Sequence, residues 1–182
     1  MLEIKNLTEI TSNGLCIGCG LCQSVIGKEK IQISMTDKGR LEPRETTSLS
    51  NEDFGKIKEI CPGVLVEGLP KKEISKNSKE DLIWGVYNSL YYAWSSDKDI
   101  RFQSSTGGLL NGISLYLLET NKVDFILHTA GDPDKPMRSI PKFSYSKKDL
   151  LSCESRSRYG PASPLSKFNE ALDKNKRLSL IK

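Results

Sequence analysis

Cys16-Ile17-Gly18-Cys19-Gly20-Leu21-Cys22 crowds three cysteines into seven residues, and Cys61-Pro62-Gly63 supplies a fourth further along. The fifth, Cys153, stands alone. An odd, clustered set argues for metal or redox chemistry and against a disulfide framework. The x2, x2 spacing suits a cubane iron–sulfur cluster: one tight loop brings three thiolates to three iron corners, and a remote cysteine reaches the fourth. Gly14, Gly18 and Gly20 let that loop take positive φ and turn amide N–H groups toward sulfur. A two-cluster bacterial ferredoxin would continue with Cys-Pro where this chain has Ile26-Gly27, so with one remote Cys61-Pro62 a single 4Fe-4S cluster on Cys16, Cys19, Cys22 and Cys61 is expected. The rival readings are a structural four-cysteine zinc site, which usually draws on two separate pairs, and buried inert thiols.

Between the ligands the pattern predicts a ferredoxin-like module over residues 1–69. Ile31-Gln32-Ile33-Ser34-Met35 alternates apolar and polar, and Asp37-Lys38-Gly39 then turns the chain back toward Leu41. Ser50 with Asp53 reads as a capping box opening a helix that ends at Cys61-Pro62. The charged stretch within residues 70–83 reads as a linker.

From residue 84 to 182 the pattern becomes α/β, so the fold class expected is α+β or α/β: a cluster module followed by an α/β sandwich domain. Strands are predicted over Tyr87–Trp94, with the aromatics in the core, over Val123–His128, and from Leu178. Helices are predicted over Thr106–Glu119, from Ser146 to about Cys153, and from Ser163-Pro164 to about Lys174, with Pro164 at the first helical position. The last strand is cut short by the end of the sequence, so an N-terminal fragment with an incomplete second domain is expected.

Ser104-Ser105-Thr106-Gly107-Gly108 precedes a helix, where free backbone N–H groups suit a phosphate or a flavin edge; a plain N-cap explains the same residues. The chain is net +4, but residues 1–141 carry −2 and the remainder +6. Within that basic end, Arg156 and Arg158 interleave with hydroxyls and Tyr159, a set that suits a pyrophosphate as well as a solvated surface. No nucleic-acid motif accompanies the charge, so nucleic acid is not expected as a partner. No apolar run nears the ~18 residues of a membrane span. Charges at Glu3 and Lys5 do not suit a secretory leader, and a cytoplasmic location is expected. His128 at the end of an apolar strand reads as structural, and Cys153 as a small buried hydrophobe.

These motifs, with Trp84-Gly85-Val86-Tyr87 and Ser157-Arg158-Tyr159-Gly160-Pro161, occur in an order that resembles the coenzyme F-420 hydrogenase/dehydrogenase beta subunit family of iron–sulfur flavoproteins. The resemblance implies an oxidoreductase subunit with a 4Fe-4S cluster on Cys16, Cys19, Cys22 and Cys61. It also implies FAD facing Ser104, Ser105, Thr106, Gly107, Gly108, Arg158 and Tyr159, with FAD lost where the pocket is incomplete. No catalytic acid or base is assigned. The implied partners are a redox subunit or ferredoxin and an organic hydride donor or acceptor. The alternative is a ferredoxin-like carrier or adaptor without substrate chemistry. Thr106 departs from the family's Ser-Gly-Gly pattern by adding a β-branch.

Overall fold

The structure is a computed structural model, and it describes residues 3–68, 70–152 and 160–180. Asn6 opens helix α1 (Leu7–Ser12), its side chain accepting from the Glu9 N–H. The cysteine loop follows and leads into α2 (Leu21–Ile26). Strands β1 (Ile31–Met35) and β2 (Leu41–Glu45) form an antiparallel hairpin with Met35 opposite Leu41. Helix α3 (Asn51–Ile60) begins at the expected capping box, Ser50 and Asp53 each bonding the other's backbone. Lys30 Nζ lies 2.8 Å from Asp53, tying the start of α3 to the hairpin. Ile4, Leu7, Ile10, Ile31 and Ile57 are buried together, and Cys16, Cys22 and Cys61 pack against them. Burying one such aliphatic side chain is worth about 1.5–3 kcal/mol, so this small core holds the loop and α3 in fixed relation.

The stretch expected as a linker carries a 3-10 turn at Lys71–Glu73 and a short hairpin, β3 (Lys79–Asp81) with β4 (Gly85–Tyr87). The strand expected over Tyr87–Trp94 is not there: β4 ends at Tyr87, and residues 88–95 are irregular. Nor are its aromatics core, since Tyr91 is 82% and Tyr92 100% exposed. Aromatic content marks a surface that packs well on something, and here no element among the described residues lies over it.

The second unit is built on β5 (Phe125–Gly131), the centre of a three-stranded sheet in the order β6-β5-β7. It pairs antiparallel with β6 (Ser139–Ser144) and parallel with β7 (Leu178–Leu180). Alternation along β5 sends Phe125 and Leu127 to one face, beside Ala171, and Ile126 to the other, beside Ile100, Leu115 and Leu150. The helices are α4 (Lys98–Gln103), α5 (Leu109–Glu119), α6 (Lys147–Leu150) and α7 (Phe168–Asp173). A 3-10 turn at Pro164–Lys167 leads into α7 with Pro at the first position, as expected. The architecture is therefore mixed α and β with small sheets. No helix among the described residues is long and apolar enough to cross a membrane.

Candidate functional site

The ends of three helices converge on the cysteines. Beyond the end of α1, Leu15 N–H donates to the Ile10 carbonyl at 3.0 Å, which turns the chain into the Cys16–Cys19 loop. Cys22 is on the first turn of α2, and Cys61 caps the C-terminus of α3. All four are free thiols, half-buried, and line one apolar cavity with Leu7, Ile10, Ile33, Pro43, Ile60 and Pro62. Burial pushes the Cys16 thiol up, opposed by the Gly18 N–H at 3.4 Å from its sulfur, with Cys19, Glu42 and Cys61 adding to the rise. Burial pushes Cys22 further, to about 12, and the other three cysteines add to it. Each sulfur thus lies in the field of the others, and thiolates persist there only beside a compensating cation. Soft sulfur donors around an apolar cavity fit an iron–sulfur group or another thiophilic metal. Among the described residues no three His, Cys, Asp or Glu side chains are drawn in around a single ion.

The loop is held from outside as well. Ser163 Oγ donates to the Gly18 carbonyl at 2.7 Å, and Leu165 N–H donates to the Cys19 carbonyl at 2.9 Å. Gly20 has φ +82, and a Cβ there would sit 2.9 Å from the Ser166 Cβ and 3.0 Å from the Ser163 Cβ, so only glycine fits. From the sequence, Ser163 signals a helix start and nothing about the cysteines; its second role follows from a tertiary contact across 145 residues.

Ser104 ends α4, and the five-residue loop runs from it into α5. Thr106, Gly107 and Gly108 take φ of 50, 68 and 68 in succession. A β-branched residue at positive φ is an outlier that its surroundings must impose. Those surroundings are specific: Ser95 N–H donates to the Gly107 carbonyl at 2.8 Å, and Asn111 Nδ2 to Ser104 Oγ at 2.7 Å. A Cβ on Gly107 would lie 2.9 Å from that of Trp94. The adjoining hollow includes Trp94, Ser96, Ile113, Tyr116 and Lys147.

Arg158, Tyr159 and Cys153 lie outside the described residues. Pro161, just beyond, lines a cleft with Arg138, Ser139, Met35, Leu41 and Ile33. Ile33 also borders the cysteine cavity, so cleft and cavity share one side chain as a wall. His128 is buried in β5, with Nε2 2.8 Å from Ser144 Oγ and Nδ1 3.2 Å from the Thr129 carbonyl, as a structural histidine would be. Burial lowers its pKa.

Residues 90–169 match the family described as coenzyme F420 hydrogenase/dehydrogenase, beta subunit N-term. The coenzyme F420 hydrogenase subunit beta of Methanosarcina barkeri (strain Fusaro / DSM 804) is 29% identical over 92 residues, which cover 50% of this chain and 31% of that protein. The chain thus spans about a third of the curated relative it matches. A chain of the F420-reducing [NiFe] hydrogenase complex from Methanosarcina barkeri aligns with 27% identity and a TM-score of 0.43, over 48% of this chain and 30% of that one. The matched residues run from the aromatic segment through the Ser104–Gly108 loop and β5 to the turn that grips the cysteine loop. Over those residues the chain is similar to the coenzyme F420 hydrogenase/dehydrogenase beta subunit family.

Proposed function

We propose that this chain is part of an iron–sulfur flavoprotein oxidoreductase, passing electrons between a 4Fe-4S cluster on a ferredoxin-like module and a flavin that exchanges hydride with an organic partner. Its likeness to that family supports a redox role. The observation that carries the rest is the meeting of Cys16, Cys19 and Cys22 with Cys61 around one apolar cavity that shares Ile33 with the Pro161 cleft. When bound, a cluster supplies single-electron steps and a flavin converts them to hydride transfer. The chain's own residues hold and orient. The four thiols release their protons as ligands, the Gly18 N–H hydrogen-bonds sulfur, and Leu7, Ile10 and Ile60 keep water out. Thr106, Gly107 and Gly108 offer closely spaced backbone to the flavin, and Arg158 with Tyr159 its anionic tail. No proton transfer by a side chain is required. A hydrogenase-type subunit is the partner proposed, since the curated relative is named as the beta subunit of a hydrogenase.

Anaerobic reconstitution of the 182-residue chain with iron, sulfide and FAD tests this. A brown protein with about four iron and four sulfide per chain, bleached on reduction, is expected. Cys61→Ser is expected to lose that absorbance. A colourless wild-type protein holding one zinc would overturn the reading.

A further inference from the structure

The cysteine loop is not fastened by its own module alone. Ser163 is 6% exposed, and its hydroxyl reaches the Gly18 carbonyl in a buried hydrogen bond. Leu165 N–H takes the next carbonyl, that of Cys19. Further along, Asn169 N–H donates to Ser24 Oγ at 2.7 Å, extending the grip onto α2. None of Ser163, Leu165 and Ser166 lines the cysteine cavity, so the segment holds the loop from its other side.

In a trans peptide the C=O and N–H point in opposite directions. Holding the carbonyls of Gly18 and Cys19 on the outside, away from the cavity, therefore leaves the N–H groups of Cys19 and Gly20, in the same two peptide planes, on the cavity side. We infer that Ser163 is a positioning residue for the metal centre: by gripping the Gly18 carbonyl it fixes the peptide dipoles of the ligand loop, so the second unit sets the electrostatics of a centre whose ligands all lie in the first. This rests on the cluster reading above. Inward N–H groups favour added negative charge, so losing the grip disfavours the reduced state.

The test compares the full-length chain with Ser163→Ala and Ser166→Ala. The Ser166 hydroxyl donates to the Ser163 carbonyl and makes no bond to the ligand loop, so Ser166→Ala is the control. In iron-free protein, amide exchange over residues 16–27 is expected to be about tenfold faster in Ser163→Ala, the effect of losing one buried hydrogen bond, and unchanged in the control. After reconstitution, the midpoint potential is expected to be lower in Ser163→Ala and at the wild-type value in Ser166→Ala. Wild-type exchange in Ser163→Ala, or a wild-type midpoint with full iron content, would overturn the inference. A wild-type chain that takes up no iron instead refutes the cluster reading, and the exchange comparison still decides whether Ser163 positions the loop. Should Ser163→Ala not fold, Gly20→Ala presses the same contact apart from the loop side. The same pattern is expected, and its absence refutes the inference.

Discussion

Gly63→Ala asks whether Cys61, the proposed remote ligand, is positioned by steric contact with the loop. A Cβ on Gly63 would sit 2.2 Å from the Leu15 carbonyl oxygen, directly before Cys16, while Gly63 itself follows Cys61 by two residues. Both sides of the contact are backbone, so no rotamer change relieves it. Even a separation of 3.0 Å, below which Cβ atoms are essentially never found, requires the two segments to part by about 0.8 Å. Overpacking of this kind costs about 1–3 kcal/mol. For a chain of this size that is a fall in Tm of about 2–12 °C in the apo protein. Because the movement separates Cys61 from Cys16, iron affinity is expected to fall about tenfold or more. Gly55→Ala is the matched comparison: it lies in the middle of α3 with nothing within 4 Å of its Cβ. There the change is expected to add about 0.5–1 kcal/mol and raise Tm slightly. Differential scanning calorimetry and iron analysis read both. If Gly63→Ala melts with the wild type and binds iron as the wild type does, the contact does not position Cys61.

Three further outcomes are expected. Lys30 and the Ser50 cap hold Asp53 down at about 2, so its stabilisation is present above the ordinary value of 3.8 and is lost as pH falls from there toward 2; Asp53→Asn should remove that acid limb from a denaturation series. Burial lowers the His128 pKa below 6.5, so unfolded chains bind the extra proton first and stability declines as pH drops below 6.5; His128→Gln should flatten urea midpoints between pH 8 and 5.5. Gly107→Ala, strained at φ +68 and crowded by Trp94, should weaken FAD binding about tenfold in a fluorescence titration; wild-type affinity would remove the loop from the flavin site.

What was legible in the sequence was local. Ser50 and Asp53 sit three apart and cap each other whatever surrounds them, and the Ile31–Met35 alternation is a two-residue rhythm. The four cysteines read as one site because their spacing encodes loop reach; all four line one cavity, while among the described residues no three of them close around a single ion. Strand β6 is not legible because Pro141 and Lys142 interrupt its pattern; among the described residues it is an edge strand paired with β5 alone, and so tolerates a residue with no N–H to give. Helix α1 was missed although Asn6 and Glu9 carry a cap signal, since six residues are too few to show periodicity. Leu90, Tyr91 and Tyr92 read as core because hydrophobicity reports what a segment prefers, not whether a neighbour covers it. The grip of Ser163 on Gly18 had no signature at all, because a hydroxyl before a proline is already explained by the helix it opens.

That contact also has a consequence in time. A ribosome adds about 5–20 residues per second, so the 145 positions between Gly18 and Ser163 correspond to a delay of about 7–30 s. Through that interval the nascent thiols have left the ribosome without their outer clasp. Any delivery of metal during synthesis therefore meets a looser loop than delivery to the finished chain does.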